Sequence, residues 1–237
     1  DGVTLNQGLV VEATNGTLDT SGGDVTIGGG LGGTGILSIV GGNDVALTSV
    51  ATGAINLSAG TLTIVTEAGG DATGPIGLSG GTLTTDGDYT FTGALTFNGG
   101  AIDTGASTVT LTGGASGPSC VLKQGSGRLV LAADASNDVG ACVEEGTLSQ
   151  NAVFTGNVWV YEPGTLRGTG LIGGNVEVAG RFAPGNSPGT MTVDGDVAML
   201  ASGTLQIDID GLGTGTGAGN YSRVLASGTF TADGSIE

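Results

Sequence analysis

Few residues in this chain can do chemistry, and their types exclude a good deal. The 237 residues include no histidine, five Lys and Arg together, and 22 Asp and Glu. Without imidazole there is no Ser-His-Asp or Cys-His nucleophile and no His-liganded zinc. Carboxylates remain, and they come as pairs two residues apart at Asp86/Asp88, Asp194/Asp196 and Asp208/Asp210. In a strand that spacing puts both side chains on one face. Two chemistries use such pairs: cleavage of polysaccharides by paired or calcium-held carboxylates, and weak calcium binding between neighbouring segments. In Leu205 through Asp210, alternation of apolar and polar residues already accounts for the acids as outward-facing. No residue is therefore assigned a catalytic role, no organic cofactor is expected, and weakly held calcium is the one ion these six residues would suit. The run Gly28-Gly29-Gly30-Leu31-Gly32-Gly33 formally fits a dinucleotide-binding glycine pattern. With no helix after it and no Lys, it is read as a chain corner. Gly41-Gly42-Asn43-Asp44 only touches on the opening of the calcium-binding nonapeptide repeat.

Charge narrows the partners. The net charge is −17, so nucleic acid and anionic membranes are disfavoured, because no cation cluster is available to displace counterions from phosphate. All five cations, Lys123, Arg128, Arg167, Arg181 and Arg223, lie in the second half, leaving residues 1–122 with 10 acids and none of either base. That half lacks the lysines that commonly guard exposed strand edges, which motivates self-association through its ends. No run of about 20 apolar residues is present to span a bilayer as a helix, so direct membrane insertion of this segment is not expected. The start, Asp1-Gly2-Val3-Thr4, lacks a basic region followed by an apolar stretch, so a mature or excised segment is expected. Hydrophobic residues make up 38% of the chain, enough for a buried core. Trp159, Tyr161 and Tyr89 belong to a set of only nine aromatics. Without a cluster they are read as packing or solvent-side cover rather than a glycan-binding face.

What must position these residues follows from the 51 glycines. A phrase of Gly, any residue and a large apolar one recurs at Gly16, Gly35, Gly53, Gly81, Gly100, Gly127, Gly146, Gly164 and Gly180. The steps are mostly 18 to 19 residues, with two of 28 and 27 that look half a repeat longer, and further copies fall at Gly60, Gly93 and Gly203. Leu205–Asp210 and Leu171–Val178 alternate as strands facing a core on one side. β-Branched residues dominate, and Gly-Gly, Asn-Gly and Asp-Gly pairs interrupt the chain every few residues, against helix and for short strands. Two or three short strands per repeat of about 20 residues make one coil of a parallel β-helix. The expectation is one all-β domain over 1–237 with about a dozen coils of 18–21 residues, a rod about 60 Å long. A glycine-rich β-sandwich is the alternative, but it does not require a persistent 18- to 19-residue step.

The second half carries a more specific pattern. Leu122-Lys123-Gln124-Gly125-Ser126-Gly127-Arg128-Leu129-Val130-Leu131 is followed by Val143-Glu144-Glu145-Gly146-Thr147-Leu148 and then by Gly164-Thr165-Leu166-Arg167-Gly168-Thr169-Gly170-Leu171. Next comes Gly180-Arg181-Phe182-Ala183-Pro184-Gly185-Asn186-Ser187-Pro188-Gly189-Thr190. This order resembles the repeats of bacterial autotransporter passenger domains, including the stretch that precedes their membrane barrel. The likeness covers about 120–230, whereas 1–119 reads as glycine-rich acidic coils. Tyr221 is followed by Ser222, where the family commonly has Tyr-Asp, and these 237 residues leave no room for a membrane barrel, so a piece of a longer chain is expected. The resemblance implies a right-handed β-helix carried through the outer membrane of a Gram-negative bacterium, exposed at or beyond the cell surface. A translocating barrel would belong to a longer chain. Because the family hosts several activities on one scaffold, the resemblance bears on location and architecture more than on activity.

Cys120 and Cys142 are 22 residues apart, close to one coil. In successive coils they would lie within disulfide reach, and the extracellular setting implied by the resemblance favours the bond; two buried free thiols are the alternative. The functional expectation is a non-enzymatic structural β-helix, an adhesin stalk or self-association module whose partner is another copy or a cell-surface ligand. A self-assembling filament or surface-layer subunit is one alternative, and a carbohydrate-active β-helix enzyme is another.

Overall fold

A strand of three or four residues followed by a tight corner can bury its alternate side chains only if a neighbour continues the sheet above and below it. The computed structural model describes residues 2–48, 53–65, 73–137 and 140–237, and in it every paired strand finds a parallel partner roughly one repeat away. The described residues contain no helix. They form a β-solenoid with three sheets of 12, 11 and eight strands, plus a two-stranded pair joining Leu9–Val11 to Leu31–Gly33.

A representative turn runs Val121–Gln124 on the first sheet, Arg128–Leu131 on the third and Ala135–Asn137 on the second, then returns to the first at Gly140–Val143. Nine turns have a described strand on all three sides, fewer than the expected dozen. Of the 12 turns that the first-sheet strands open, those at Val45 and Thr61 have described strands on the first and second sheets only, and the last, reached by a step of 33 residues from Val197 to Phe230, is incomplete.

The sheets also explain the two long steps of the glycine phrase. Gly16, Gly35 and Gly53 introduce second-sheet strands, Gly81 and Gly100 first-sheet strands, and Gly127, Gly146, Gly164 and Gly180 third-sheet strands. A step of 28 or 27 is therefore one turn plus one side of the triangle, not one and a half repeats. Glycine is required where two of the first-sheet strands begin. Gly81 and Gly100 have φ of 69° and 74°. A Cβ on Gly81 would lie 2.5 Å from the carbonyl oxygen of Gly60, and one on Gly100 2.6 Å from that of Gly81.

Inside, equivalent positions stack into ladders. Leu62, Leu83, Ile102, Lys123, Val143 and Val160 follow one another in register on the inner face of the first sheet. All six are buried, and all but Lys123 belong to one continuous apolar core. Several expectations need correction. Leu171–Val178 is not one strand: Gly173 and Gly174 turn a corner between Leu171–Ile172 on the second sheet and Val176–Val178 on the first. Leu205–Asp210 leaves the third sheet at Leu205 and opens an excursion over residues 206–222. Only Gly28–Gly30 of the glycine run form a corner, with Leu31–Gly33 continuing as strand.

Candidate functional site

The residues with unusual chemistry gather on the first sheet between Asp103 and Ala198, on both of its faces. The inner feature is Lys123, the chain's sole lysine, 0% exposed and two residues after buried Val121. Alternation points it inward, where an ammonium is costly unless all three hydrogens find acceptors. They do. Nζ donates to the carbonyl oxygens of Gln124 at 2.7 Å, Gly125 at 2.6 Å and Glu145 at 3.0 Å, bridging one corner to the corner of the next turn. Burial pushes its pKa down to about 8, against an opposing pull from the carboxylates of Asp103 and Glu145. Sealed from solvent and fully bonded, this amine works as a resident cation for a ring of carbonyls. Outside the same corner, Asp103, Gln124, Gly125, Glu144, Glu145 and Pro163 border an open hollow of about 400 Å³. There Nε2 of Gln124 donates to Oε2 of Glu144 at 2.9 Å.

Cys120 and Cys142 form a disulfide with Cα atoms 6.0 Å apart, fastening one turn to the next. Cys142 faces outward in register with Trp159, and Trp159 in turn with Glu177 and Ala198. Beside this row runs a second made of Asn157, which begins its strand, and Asn175 and Asp196, each of which immediately precedes one. Its side chains clamp successive turns. Oδ1 of Asn157 accepts the Asn175 N–H at 2.8 Å, Oδ1 of Asn175 accepts the Asp196 N–H at 2.9 Å, and Oδ1 of Asp196 accepts the Thr229 N–H at 2.7 Å. The two rows enclose a hollow of about 200 Å³ lined by Asn157, Trp159, Asn175, Val176, Glu177, Asp196 and Ala198. Of the other aromatics singled out in the sequence, Tyr89 is buried edge-on against Phe91, while Tyr161 is exposed.

The paired acids are dispersed rather than brought together. Asp86 and Asp88 flank a corner, not a strand, and Asp88 accepts the Thr108 N–H of the next turn at 2.6 Å. Asp194 and Asp196 sit at another corner. Asp208 accepts from Nε2 of Gln206 at 3.2 Å, and Asp210 accepts the Gly219 N–H at 3.0 Å, so this pair stabilises the excursion. No group of three or more Asp, Glu, Cys or His suited to a metal occurs among the described residues. The acids tie adjacent turns because a corner exposes N–H groups that the sheet ladder does not satisfy. On the third sheet, burial lowers the pKa of Arg167, with Arg128 adding to the shift and Asp208 opposing it. Nε of Arg167 is buried without a hydrogen-bond partner.

Comparison with protein-family models, curated proteins and solved structures finds no match to this chain. What stands is a β-solenoid whose disulfide fits an oxidising compartment. The sequence alone places Lys123 only within a repeat pattern, and Trp159 only as packing or solvent-side cover. The signal for the first was the alternation through Val121 and Leu122. The second had none, because its neighbours come from other turns.

Proposed function

We propose that this chain is a non-enzymatic structural solenoid displayed outside a Gram-negative cell, built as a right-handed β-helix of the autotransporter passenger kind. The observation that carries the structural part is the use made of its acids. Asp24, Asp88, Asp134 and Asp196 each accept a backbone N–H of the following turn, and the neutral amides of Asn157 and Asn175 do the same beside them. Charge spread along the corners in this way stiffens a rod, whereas paired-carboxylate hydrolysis needs its acids facing one another across a substrate. The order of motifs over residues 120–230 supports the passenger reading, and the Cys120–Cys142 bond supports export to an oxidising compartment.

A stalk and a self-association module are both served by such a rod. The second reading is favoured by exposed apolar side chains on the outermost described turns, Val3 and Val10 at one rim and Phe230 and Ile236 at the other. Further turns or another copy would cover them. Electron microscopy of the purified chain with light-scattering mass separates the readings. Single rods of 22.6 kDa support a stalk segment. Fibres or layers support assembly. Rounded particles without an axial repeat overturn the solenoid scaffold itself.

A further inference from the structure

The hollow beside Trp159 is more than a gap between corners. We propose that it binds a neutral oligosaccharide laid along the solenoid axis, a function beyond a scaffold role. Three features of the surface lead there. First, Trp159 points outward and is only partly covered, between Cys142 on the turn before and Glu177 on the turn after. An indole face attracts the polarised C–H groups of a sugar ring while shedding poorly held water. Second, Ala198 follows Glu177 in that row, and its small side chain leaves the depression open at the end away from Trp159.

The third feature is the polarity of the parallel row. Because the side-chain oxygens of Asn157 and Asn175 are committed to N–H groups of the next turn, their NH2 groups are turned the other way. Neither NH2 group has a hydrogen-bond partner among the described residues. Asp196 likewise commits Oδ1 to Thr229 and keeps Oδ2 free. The row thus offers two donors and then an acceptor, and exposed Glu177 adds another acceptor across the hollow. Sugar hydroxyls donate and accept at once, so this mixture suits vicinal hydroxyl pairs. The rungs repeat at the strand spacing of about 4.8 Å, comparable with the advance of one hexose unit in an extended chain. One sugar per turn can therefore meet equivalent groups.

Charge selects within the class. Glu177 and Asp196 border the hollow, no Lys or Arg lines it, and the chain carries −17 overall. Uronate and sulfated polymers are repelled. A peptide finds no free strand edge here, since the face presents side chains only.

Trp159 is the only tryptophan, so its fluorescence reports this site alone. The chain is titrated with cellohexaose, maltohexaose and the hexamer of N-acetylglucosamine, with polygalacturonate as the anionic control. A saturable change in Trp159 emission is expected for at least one neutral oligosaccharide, with Kd on the order of 1 mM for so open a site, and none for polygalacturonate. By calorimetry, Trp159→Ala weakens that binding by about tenfold and Glu177→Gln by about threefold, the loss of a stacking face and of one charged acceptor. Ala198→Leu fills the hollow from outside and keeps the test independent of whether Trp159→Ala folds. The proposal is overturned if no neutral oligosaccharide alters the emission up to about 10 mM. It is equally overturned if polygalacturonate binds as well as they do, or if Ala198→Leu retains full affinity.

Discussion

Replacing Lys123 with methionine isolates what a buried ammonium does to a solenoid. The pKa of this amine falls from 10.5 to about 8 within the fold, because burial outweighs the attraction of Asp103 and Glu145. Below pH 8 folded and unfolded chains both hold the proton, and the burden of burying the charge is present in full. Between the two values the unfolded chain binds more protons than the folded one, so stability rises with pH and the gain is complete above 10.5. The interval corresponds to about 3 kcal/mol. Lys123→Met removes this rise. It also strands the carbonyls of Gln124, Gly125 and Glu145, at about 1 kcal/mol or more each. The comparison therefore rests on the slope with pH rather than on absolute stability. Urea unfolding of both proteins at intervals from pH 7 to 11 gives the two profiles, and their difference cancels the tyrosines and the terminal amine common to both. Carbon-13 labelling of lysine follows the titration of the sole ε-carbon directly. Profiles that run parallel from pH 8 to 10.5, or an ε-carbon midpoint at 10.5, would refute the reasoning.

Reducing the Cys120–Cys142 bond opens a loop spanning 22 residues, with an expected loss of about 3 kcal/mol in urea unfolding with and without dithiothreitol. Gly81→Ala forces an ordinary residue to φ of 69° and drives its Cβ against Gly60. Thermal unfolding is expected to show at least about 2 kcal/mol lost, whereas Gly22→Ala, which meets nothing within 4 Å, is close to neutral. Adding about 1 mM calcium is expected to leave the unfolding temperature unchanged, since calcium takes six to eight oxygen ligands and no group of three or more acids suited to a metal occurs among the described residues. A rise of several degrees would show that the corners recruit the ion after all.

The glycine phrase and the alternating apolar residues determined the architecture by themselves. Alternation tells which side chains are buried, and glycine before a large apolar residue tells where a strand starts, so an all-β solenoid and its repeat length were legible. The alternation through Val121 that carries Lys123 inward lay in the sequence, but it went unused, and nothing local showed how a buried charge there would be accommodated. The tertiary structure alone decided which of three sheets each phrase opens, and hence that Gly53 to Gly81 is a turn plus one side. That choice depends on where corners fall, and a corner at Gly173–Gly174 can divide a run that looks continuous. It also decided the fate of the polar residues. Asp196 reads as half of an acidic pair until its carboxylate is seen on Thr229, 33 residues on. Trp159 reads as an isolated aromatic until Asn175, Glu177 and Ala198 are set beside it by stacking. Side chains on one strand know their face from a period of two, but their neighbours are set by register between turns. Register is fixed by the whole set of corners and core ladders together.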